Sequence, residues 1–192
     1  DLLWMTMRLV VGPNLGTALA TRPVSTERAI EIVDQVGQAL DHAHAHGLLH
    51  RDVKPANILL RTDHTGTEQA MLTDFGVVKD LTASQLLTQH SRGPATVAYA
   101  APEQLEGGAL DARADVYSLG VVLFELLTGR RAFDAEEFAP LLYSVVQGPV
   151  PDARVVRPEL PTALAAVLAR AMAKDRGERF ATCAELVAAA RA

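Results

Sequence analysis

The sequence has little cysteine, little lysine and no long hydrophobic run. Cys183 is the only cysteine, so no disulfide can form within the chain, and a lone thiol is more often a small buried apolar group than a reactive one. The most apolar stretch, residues 119–127, is interrupted by Glu125 and falls short of the roughly 18 residues of a membrane span. We therefore expect a buried core helix there. No signal-peptide pattern opens the sequence, and we expect a cytoplasmic protein.

Lysine occurs only as Lys54, Lys79 and Lys174, and all other basic residues except histidine are arginines. The formal net charge is −5, which makes nucleic acid or an anionic membrane surface an unfavourable partner. Any binding of phosphate must therefore depend on a few placed groups and a metal ion. The 192 residues suffice for one domain that buries roughly 70% of its extended-chain surface.

Periodic patterns predict one mostly helical unit. An apolar strand is expected over residues 2–11, ending at Gly12, and a hairpin from residues 58–60 and 70–72. A central buried helix is expected over residues 115–128, where Gly129 ends it. Residues 136–147 predict a shorter helix, residues 149–161 a proline-rich linker, and residues 164–172 and 182 onwards two more helices. Before the hairpin, Ser25 should cap a helix that ends at Gly47, with this buried stripe: Ile30, Val33, Val36, Leu40 and Ala43.

One short segment carries most of the chemistry, the run His50-Arg51-Asp52-Val53-Lys54-Pro55-Ala56-Asn57. It places an acid, a base and an amide close together. Pro55 forbids a regular helix and biases the residue before it towards an extended conformation, so we predict a rigid loop that runs into a strand. Asp74-Phe75-Gly76 follows the second strand of the hairpin. Oxygen atoms of Asn57 and Asp74, both at loop ends, could share one hard cation.

These motifs, with Ala101-Pro102-Glu103 further on, resemble the signature set of the bacterial eukaryotic-like (Hanks-type) Ser/Thr protein kinases. Three motifs in this order are far more specific than any one of them. The resemblance implies a protein-kinase-like fold, of which this chain forms the mainly α-helical large (C-terminal) lobe with small β-hairpins. Residues 1–13 would be the last small-lobe strand and the hinge, and residues 14–192 the C-terminal lobe. The resemblance further implies that the N-terminal β lobe is missing from this chain.

The resemblance also implies a task for each motif residue in transferring the ATP γ-phosphate to Ser or Thr hydroxyls of protein substrates. Asp52 would orient the hydroxyl and accept its proton, and Lys54 would neutralise the γ-phosphate. Asn57 and Asp74 would hold Mg²⁺, with Mn²⁺ as a second option. Lys54 and Thr96 resemble the Ser/Thr-specific branch, in which the threonine bonds to both the aspartate and the lysine. The remaining contacts to ATP would come from the hinge and from an apolar floor under the adenine: Met7, Arg8, Val10 and Leu59.

Further residues carry implied regulatory and structural roles. Arg51, beside the catalytic aspartate, implies control by phosphorylation of the activation loop, with Thr88 as the predicted acceptor and Arg51 as its charge partner. Three contacts would hold the lobe in its active shape. Asp115 would bind the backbone of the catalytic loop, Glu103 would form an ion pair with Arg179, and His50 would stack on Phe75.

Two features that the family uses for ATP do not occur in the sequence. No Gly-x-Gly-x-x-Gly run and no lysine precede Lys54, and no glutamate precedes Glu27. We therefore expect this polypeptide to be inactive alone, although the residues of its motifs favour a kinase. The alternative is a non-catalytic kinase-like interaction module that docks partners through residues 136–147. The natural protein could be membrane-anchored, with this chain in the cytoplasm, and apolar residues 2–11 could support self-association.

Overall fold

The computed structural model describes residues 9–19, 24–75 and 94–192. Helices α1 (Leu15–Leu19) and α2 (Thr26–Ala45) come first, followed by a 3₁₀ turn (Pro55–Asn57) and the strands β1 (Ile58–Thr62) and β2 (Glu68–Leu72). The second part contains α3 (Pro94–Val97), α4 (Pro102–Glu106), α5 (Ala112–Thr128), α6 (Phe138–Val146) and α7 (Ala153–Val156). It ends with α8 (Thr162–Ala171), a 3₁₀ turn (Arg176–Glu178) and α9 (Cys183–Arg191). The predicted mainly helical lobe with a small hairpin is confirmed.

Helix α5 is the centre of the fold. It is buried on every face, as expected of a helix that is apolar almost all round. Helices α2, α8 and α9 pack against it. The contact with α8 is so close that a Cβ at Gly120 would lie 2.7 Å from Cβ of Ala171. The predicted helix is confirmed; Asp111 caps its start by accepting the N–H of Arg113 at 2.9 Å, and Gly129 ends it with a φ of 68°.

Helix α2 begins where the sequence predicts. The Ser25 hydroxyl oxygen accepts the N–H of Arg28 at 3.2 Å. Its buried face differs from the predicted stripe at the start, because Ile30 is only half-buried whereas Ala29 and Ile32 are buried. The physical reason is that α2 packs on α5, α9 and β2 together, so its apolar face is wider than a single stripe.

The hairpin forms as predicted, and each strand extends two residues beyond the prediction. The strands pair antiparallel, with Ile58 opposite Leu72. The connecting turn is held by Oδ1 of Asp63, which accepts the N–H of Thr65 at 2.8 Å. The hairpin is fixed to α2 by Arg28, whose guanidinium makes a two-pronged ion pair with the Glu68 carboxylate of β2 (2.9 and 2.7 Å).

The segment before α1 runs close along β1. The N–H of Leu60 donates to the carbonyl of Pro13 at 2.9 Å, and a Cβ at Gly12 would lie 1.9 Å from the Leu60 carbonyl oxygen. Only glycine fits so close to a neighbouring backbone. The strand predicted over residues 2–11 is not present in its described part, residues 9–11, because no described strand pairs with them. Leu9 and Val11 are 85% and 79% exposed.

Two later predictions need correction. The supposed proline-rich linker contains helix α7, which Asp152 caps by accepting the N–H of Arg154 at 2.9 Å. The helix predicted over residues 136–147 is α6, which starts two residues later. The start of α9 agrees with the prediction, since Thr182 Oγ1 accepts the N–H of Glu185 at 3.1 Å. Among the helices that the structure describes, none has the length and apolar character needed to cross a membrane.

Candidate active site

Asp115 of α5 holds the loop between α2 and β1 by its backbone. Its carboxylate is 1% exposed, and it accepts the N–H of His50 and the N–H of Arg51, both at 2.8 Å. Arg51 has a φ of 64°, a left-handed conformation that costs an ordinary residue about 1–3 kcal/mol. Its carbonyl accepts from Nε2 of Gln104 at 2.9 Å. The loop therefore keeps an unfavourable conformation because charged and amide partners hold it from both sides.

Four polar side chains converge just beyond this anchored backbone. Nζ of Lys54 donates to Oδ2 of Asp52 at 2.9 Å and to Oγ1 of Thr96 at 3.2 Å. Nδ2 of Asn57 donates to the same Asp52 oxygen at 3.1 Å. The predicted threonine contact is present only in part. Lys54 lies between Thr96 and Asp52, and no hydrogen bond joins those two described residues directly.

The amide of Asn57 has a defined orientation. The residue is 7% exposed, and its Nδ2 also donates to the backbone carbonyl of Asp52 at 2.9 Å. With the nitrogen facing Asp52, the amide oxygen is the atom left for another partner. An oxygen ligand beside a carboxylate is the donor type that hard divalent cations prefer, so the residues present fit such an ion.

Asp74 is placed by its two neighbours in the chain. The N–H of Thr73 donates to the Asn57 carbonyl at 2.9 Å, and the carbonyl of Thr73 is 3.0 Å from Nε2 of His50. Phe75 lies on the same histidine, with ring centroids 4.8 Å apart. Asp74 itself is exposed and has a φ of 58°, again left-handed. The end of β2 is thus tied to the loop between α2 and β1 on both sides of this carboxylate.

The contacts of His50 define its tautomer. The N–H of Asp52 donates to Nδ1 at 3.3 Å, so Nδ1 carries the lone pair and Nε2 carries the proton that Thr73 accepts. The predicted ring contact with Phe75 is present, but the rings are tilted by 59° and do not stack in parallel. A tilted pair is a favoured arrangement of aromatic rings, because ring edges are attracted to ring faces.

The expected ion pair between Glu103 and Arg179 joins α4 to the segment before α9. The two guanidinium nitrogens donate to the two carboxylate oxygens at 2.7 and 2.9 Å, and the arginine side chain is completely buried. Two-pronged pairs of this kind fix orientation as well as distance. Arg179 also lies over the ring of Tyr117 in α5, 4.8 Å from its centroid. The pair therefore connects α4 with the core of the lobe.

Met7, Arg8 and Thr88 lie outside the described residues. Val10 and Leu59 are half-buried, and the backbone of Leu59 forms an isolated bridge with Asn14, which places the segment just before α1 beside β1.

Three residues that hold the site were not found from the sequence. Gln104 bridges the start of α4 to the catalytic loop, with Oε1 accepting the N–H of Ala101 at 2.9 Å. Tyr99 donates its hydroxyl to Glu125 of α5, and burial, followed by this bond, raises the pKa of Tyr99. His44 of α2 lies 2.7 Å from the Asp115 carboxylate. The contacts of Gln104 with Arg51, of Tyr99 with Glu125 and of His44 with Asp115 join residues far apart along the chain, so no spacing pattern points to them.

A loop anchored from a buried central helix, beside a hairpin that ends in Asp-Phe, is the arrangement of the large lobe of a protein kinase. The chain belongs to the protein kinase domain family, whose model matches residues 1–189. Kinases of this family use ATP and a divalent metal ion.

Similar proteins come from mycobacteria. The chain is 44% identical to the serine/threonine-protein kinase PknJ of Mycobacterium tuberculosis over 99% of its length and 32% of that protein. It is 41% identical to the serine/threonine-protein kinase PknE of the same species, over 99% of this chain and 33% of that protein. The crystal structure of the M. tuberculosis PknI kinase domain superposes with a TM-score of 0.71 at 31% identity, covering 95% of this chain and 63% of that one. The chain thus spans about a third of the curated relatives it matches.

Proposed function

We propose that this chain is the catalytic lobe of a Ser/Thr protein kinase that transfers the γ-phosphate of ATP to hydroxyl groups of protein substrates. The observation that carries the proposal is the bonded cluster of Asp52, Lys54, Asn57 and Thr96 on an anchored loop. A plain capping carboxylate has no need of a lysine and an amide on the same oxygen. Phosphoryl transfer needs alignment and charge neutralisation more than covalent chemistry, and this cluster suits both needs.

In this proposal Asp52 receives the substrate hydroxyl. Its Oδ2 is engaged by Lys54 and Asn57, whereas Oδ1 has no hydrogen bond to any residue that the structure describes. A hydroxyl that donates to Oδ1 is oriented for attack and gives up its proton there. Lys54 supplies positive charge to the transferred phosphate. Thr96 accepts a hydrogen bond from the Lys54 ammonium group and keeps it between the substrate hydroxyl and the γ-phosphate.

Asn57 and Asp74 are the proposed ligands of Mg²⁺, through the amide oxygen and one carboxylate oxygen. The ion neutralises negative charge on the ATP phosphates when it is bound. The tie between Thr73 and the Asn57 carbonyl, at 2.9 Å, supports this pairing because it keeps the two ligand-bearing segments side by side. Val10, Leu59 and the hinge residues Met7 and Arg8 are the proposed adenine contacts, with Thr88 as phosphate acceptor and Arg51 as its partner.

The test is phosphate transfer from labelled ATP by the purified natural protein that carries this chain. Asp52→Asn should lower kcat by about 10²–10⁴-fold, the range for a lost general base, with little change in the unfolding temperature. Asp134→Asn is the matched control, because that carboxylate is 73% exposed and pairs with Arg131, which is not a member of the cluster. Acid hydrolysis of the product should yield phosphoserine or phosphothreonine.

Two results would contradict the proposal. One is equal turnover by the Asp52→Asn and Asp134→Asn variants. The other is a complete absence of transfer by the natural protein with Mg²⁺ and ATP, which would instead favour the kinase-like interaction module.

A further inference from the structure

A second group of metal-ligating side chains lies behind the catalytic loop, outside the cluster described above. Asp41 and His44 lie three residues apart on α2 and therefore point to the same side of the helix. Cys183, the first residue of α9, faces them. One ligand atom from each of the three residues lies within 4.8 Å of the other two.

His44 is the observation that points to a ligand. Its side chain is 9% exposed, and its Nε2 lies 2.7 Å from Oδ2 of Asp115. A carboxylate accepts only, so Nε2 carries a proton, and in the neutral ring Nδ1 then carries the lone pair. Nδ1 is buried and has no hydrogen-bond partner among the residues that the structure describes; Oδ1 of Asp41, 3.8 Å away, is within ion-pairing range but beyond hydrogen-bonding distance. Leaving a buried polar atom unsatisfied is costly, and a metal ion is a partner that would satisfy it.

The contact between His44 and Asp115 resembles the hydrogen bond that orients a metal-bound histidine. In metal sites, a coordinating histidine typically donates its other N–H to a carboxylate, which fixes the ring and strengthens the ligand. Asp115 is 1% exposed, so its carboxylate does not swing away into solvent. The ring is therefore already oriented with its lone pair towards the Asp41–Cys183 side.

Asp41 and Cys183 are the other two proposed ligands, and the Asp41 side gives an ion access to the site. The Asp41 oxygens accept the N–H groups of Cys183 and Ala184 at 2.9 and 2.8 Å, and each oxygen retains a second lone pair. Cys183 is fully buried, whereas the Asp41 side chain is 26% exposed. An ion can therefore reach the thiol from the Asp41 side.

We propose that Asp41, His44 and Cys183 bind one Zn²⁺ ion, with water as the fourth ligand and with the proton of the Cys183 thiol released to solvent as the zinc–sulfur bond forms. Imidazole and thiolate favour zinc over magnesium, which prefers oxygen ligands. Tetrahedral zinc holds its ligand atoms about 3.4–3.6 Å apart, so a pair at the 4.8 Å limit would close by roughly 1 Å on binding. The ion would link α2 to α9. It would also fix His44, which contacts Asp115, the residue that binds the backbone of the catalytic loop.

The test uses the purified natural protein, freed of metal by a chelator and titrated with Zn²⁺ against a chromophoric competitor. Replacement by Co²⁺ gives an absorption band that requires a thiolate ligand. We expect wild type to show the band and to bind one more Zn²⁺ than Cys183→Ser. The affinity of this site in the variant should fall by more than the roughly 10–100-fold that loss of a supporting residue costs.

Two further variants keep the test decisive. Asp41→Asn retains an oxygen for the α9 cap and should also weaken Zn²⁺ binding, so it decides the question if Cys183→Ser does not fold. His46→Gln is the control, because His46 is exposed on the end of α2 and its Nδ1 already lies 2.8 Å from the His42 carbonyl. The proposal is overturned if wild type gives no cobalt–thiolate band, or if His46→Gln lowers binding as much as the ligand variants.

Discussion

Replacing Glu103 by glutamine is expected to destabilise the lobe strongly, because the buried charge of Arg179 loses its counter-ion. The arginine side chain is 0% exposed and the glutamate side chain 13%. All five N–H groups of the arginine have partners. Two donate to the carboxylate, and three donate to the carbonyls of Ala173, Arg113 and Lys174. Glutamine has nearly the same shape, but it carries no charge and sets an NH₂ group against a guanidinium N–H.

The size of the effect follows from these contacts. Removing one partner of a buried ion pair costs about 3–5 kcal/mol. Arg179 keeps its three carbonyl bonds in the variant, and water reaches the edge of Glu103, so we expect the lower end, about 3 kcal/mol. For a chain of this size, 1 kcal/mol shifts the unfolding temperature by about 2–4 °C. The expected decrease in unfolding temperature is therefore about 6–12 °C.

Thermal and urea unfolding, followed by circular dichroism, measure this change. Glu159→Gln is the matched control, because Glu159 pairs with Arg157 at 3.0 Å but is 70% exposed. An exposed pair of this kind contributes less than about 1 kcal/mol. If Glu103→Gln costs no more than Glu159→Gln, the argument from burial is wrong.

Three further predictions test separate parts of the structure. Gly12→Ala should lower stability by about 1–3 kcal/mol, because its Cβ would lie 1.9 Å from a backbone oxygen of β1. Thr96→Val should lower kcat about tenfold, since it removes one hydrogen bond to Lys54, and tenfold corresponds to about 1.4 kcal/mol. Burial, then Arg179, lowers the pKa of Lys174 from 10.5 to about 8. Between these values the unfolded chain keeps a proton that the folded chain releases, so the unfolding free energy rises with pH, by about 1 kcal/mol for this half-exposed group.

Each of the three has its own control. Gly108→Ala places a Cβ at an ordinary 3.5 Å from Glu103, so a loss as large as that of Gly12→Ala would contradict the first prediction. Thr96→Ser keeps the hydroxyl and should keep the rate; equal losses in the serine and valine variants would refute a role for that bond. Lys174→Met should remove the rise in unfolding free energy between pH 8 and pH 10, and an unchanged rise would assign it to other groups.

Much of the local structure was predictable because its cause lies within a few residues. Ser25 and Thr182 cap their helices with their own hydroxyls, and Gly129 takes the left-handed conformation that ends α5. The hairpin follows from two short apolar runs around a polar turn. The motif residues also come together for a local reason, since Asp52, Lys54 and Asn57 share one loop made stiff by a proline.

Two of the predictions that the structure corrects also have a common cause, which is packing between distant parts of the chain. Ile30 was expected to be buried, but the face of α2 is set by three packing partners and not by periodicity alone. Helix α7 was not predicted, because it has only four residues and prolines lie on both sides of it; Asp152 nevertheless caps its start. The strand predicted over residues 2–11 needs a neighbour for its backbone bonds, and its described part has none among the described residues.

By itself, the sequence determined the family, the set of polar residues on the loop and those helix ends that a local cap or glycine marks. These depend on residue types at short spacings. Only the tertiary structure decided three contacts. Asp115 binds the N–H of the strained Arg51, and Gln104 binds the carbonyl of the same residue. His44 lies within 4.8 Å of Cys183, measured between their ligand atoms. Contacts between segments this far apart are set by how helices pack in three dimensions, and no local pattern encodes that packing.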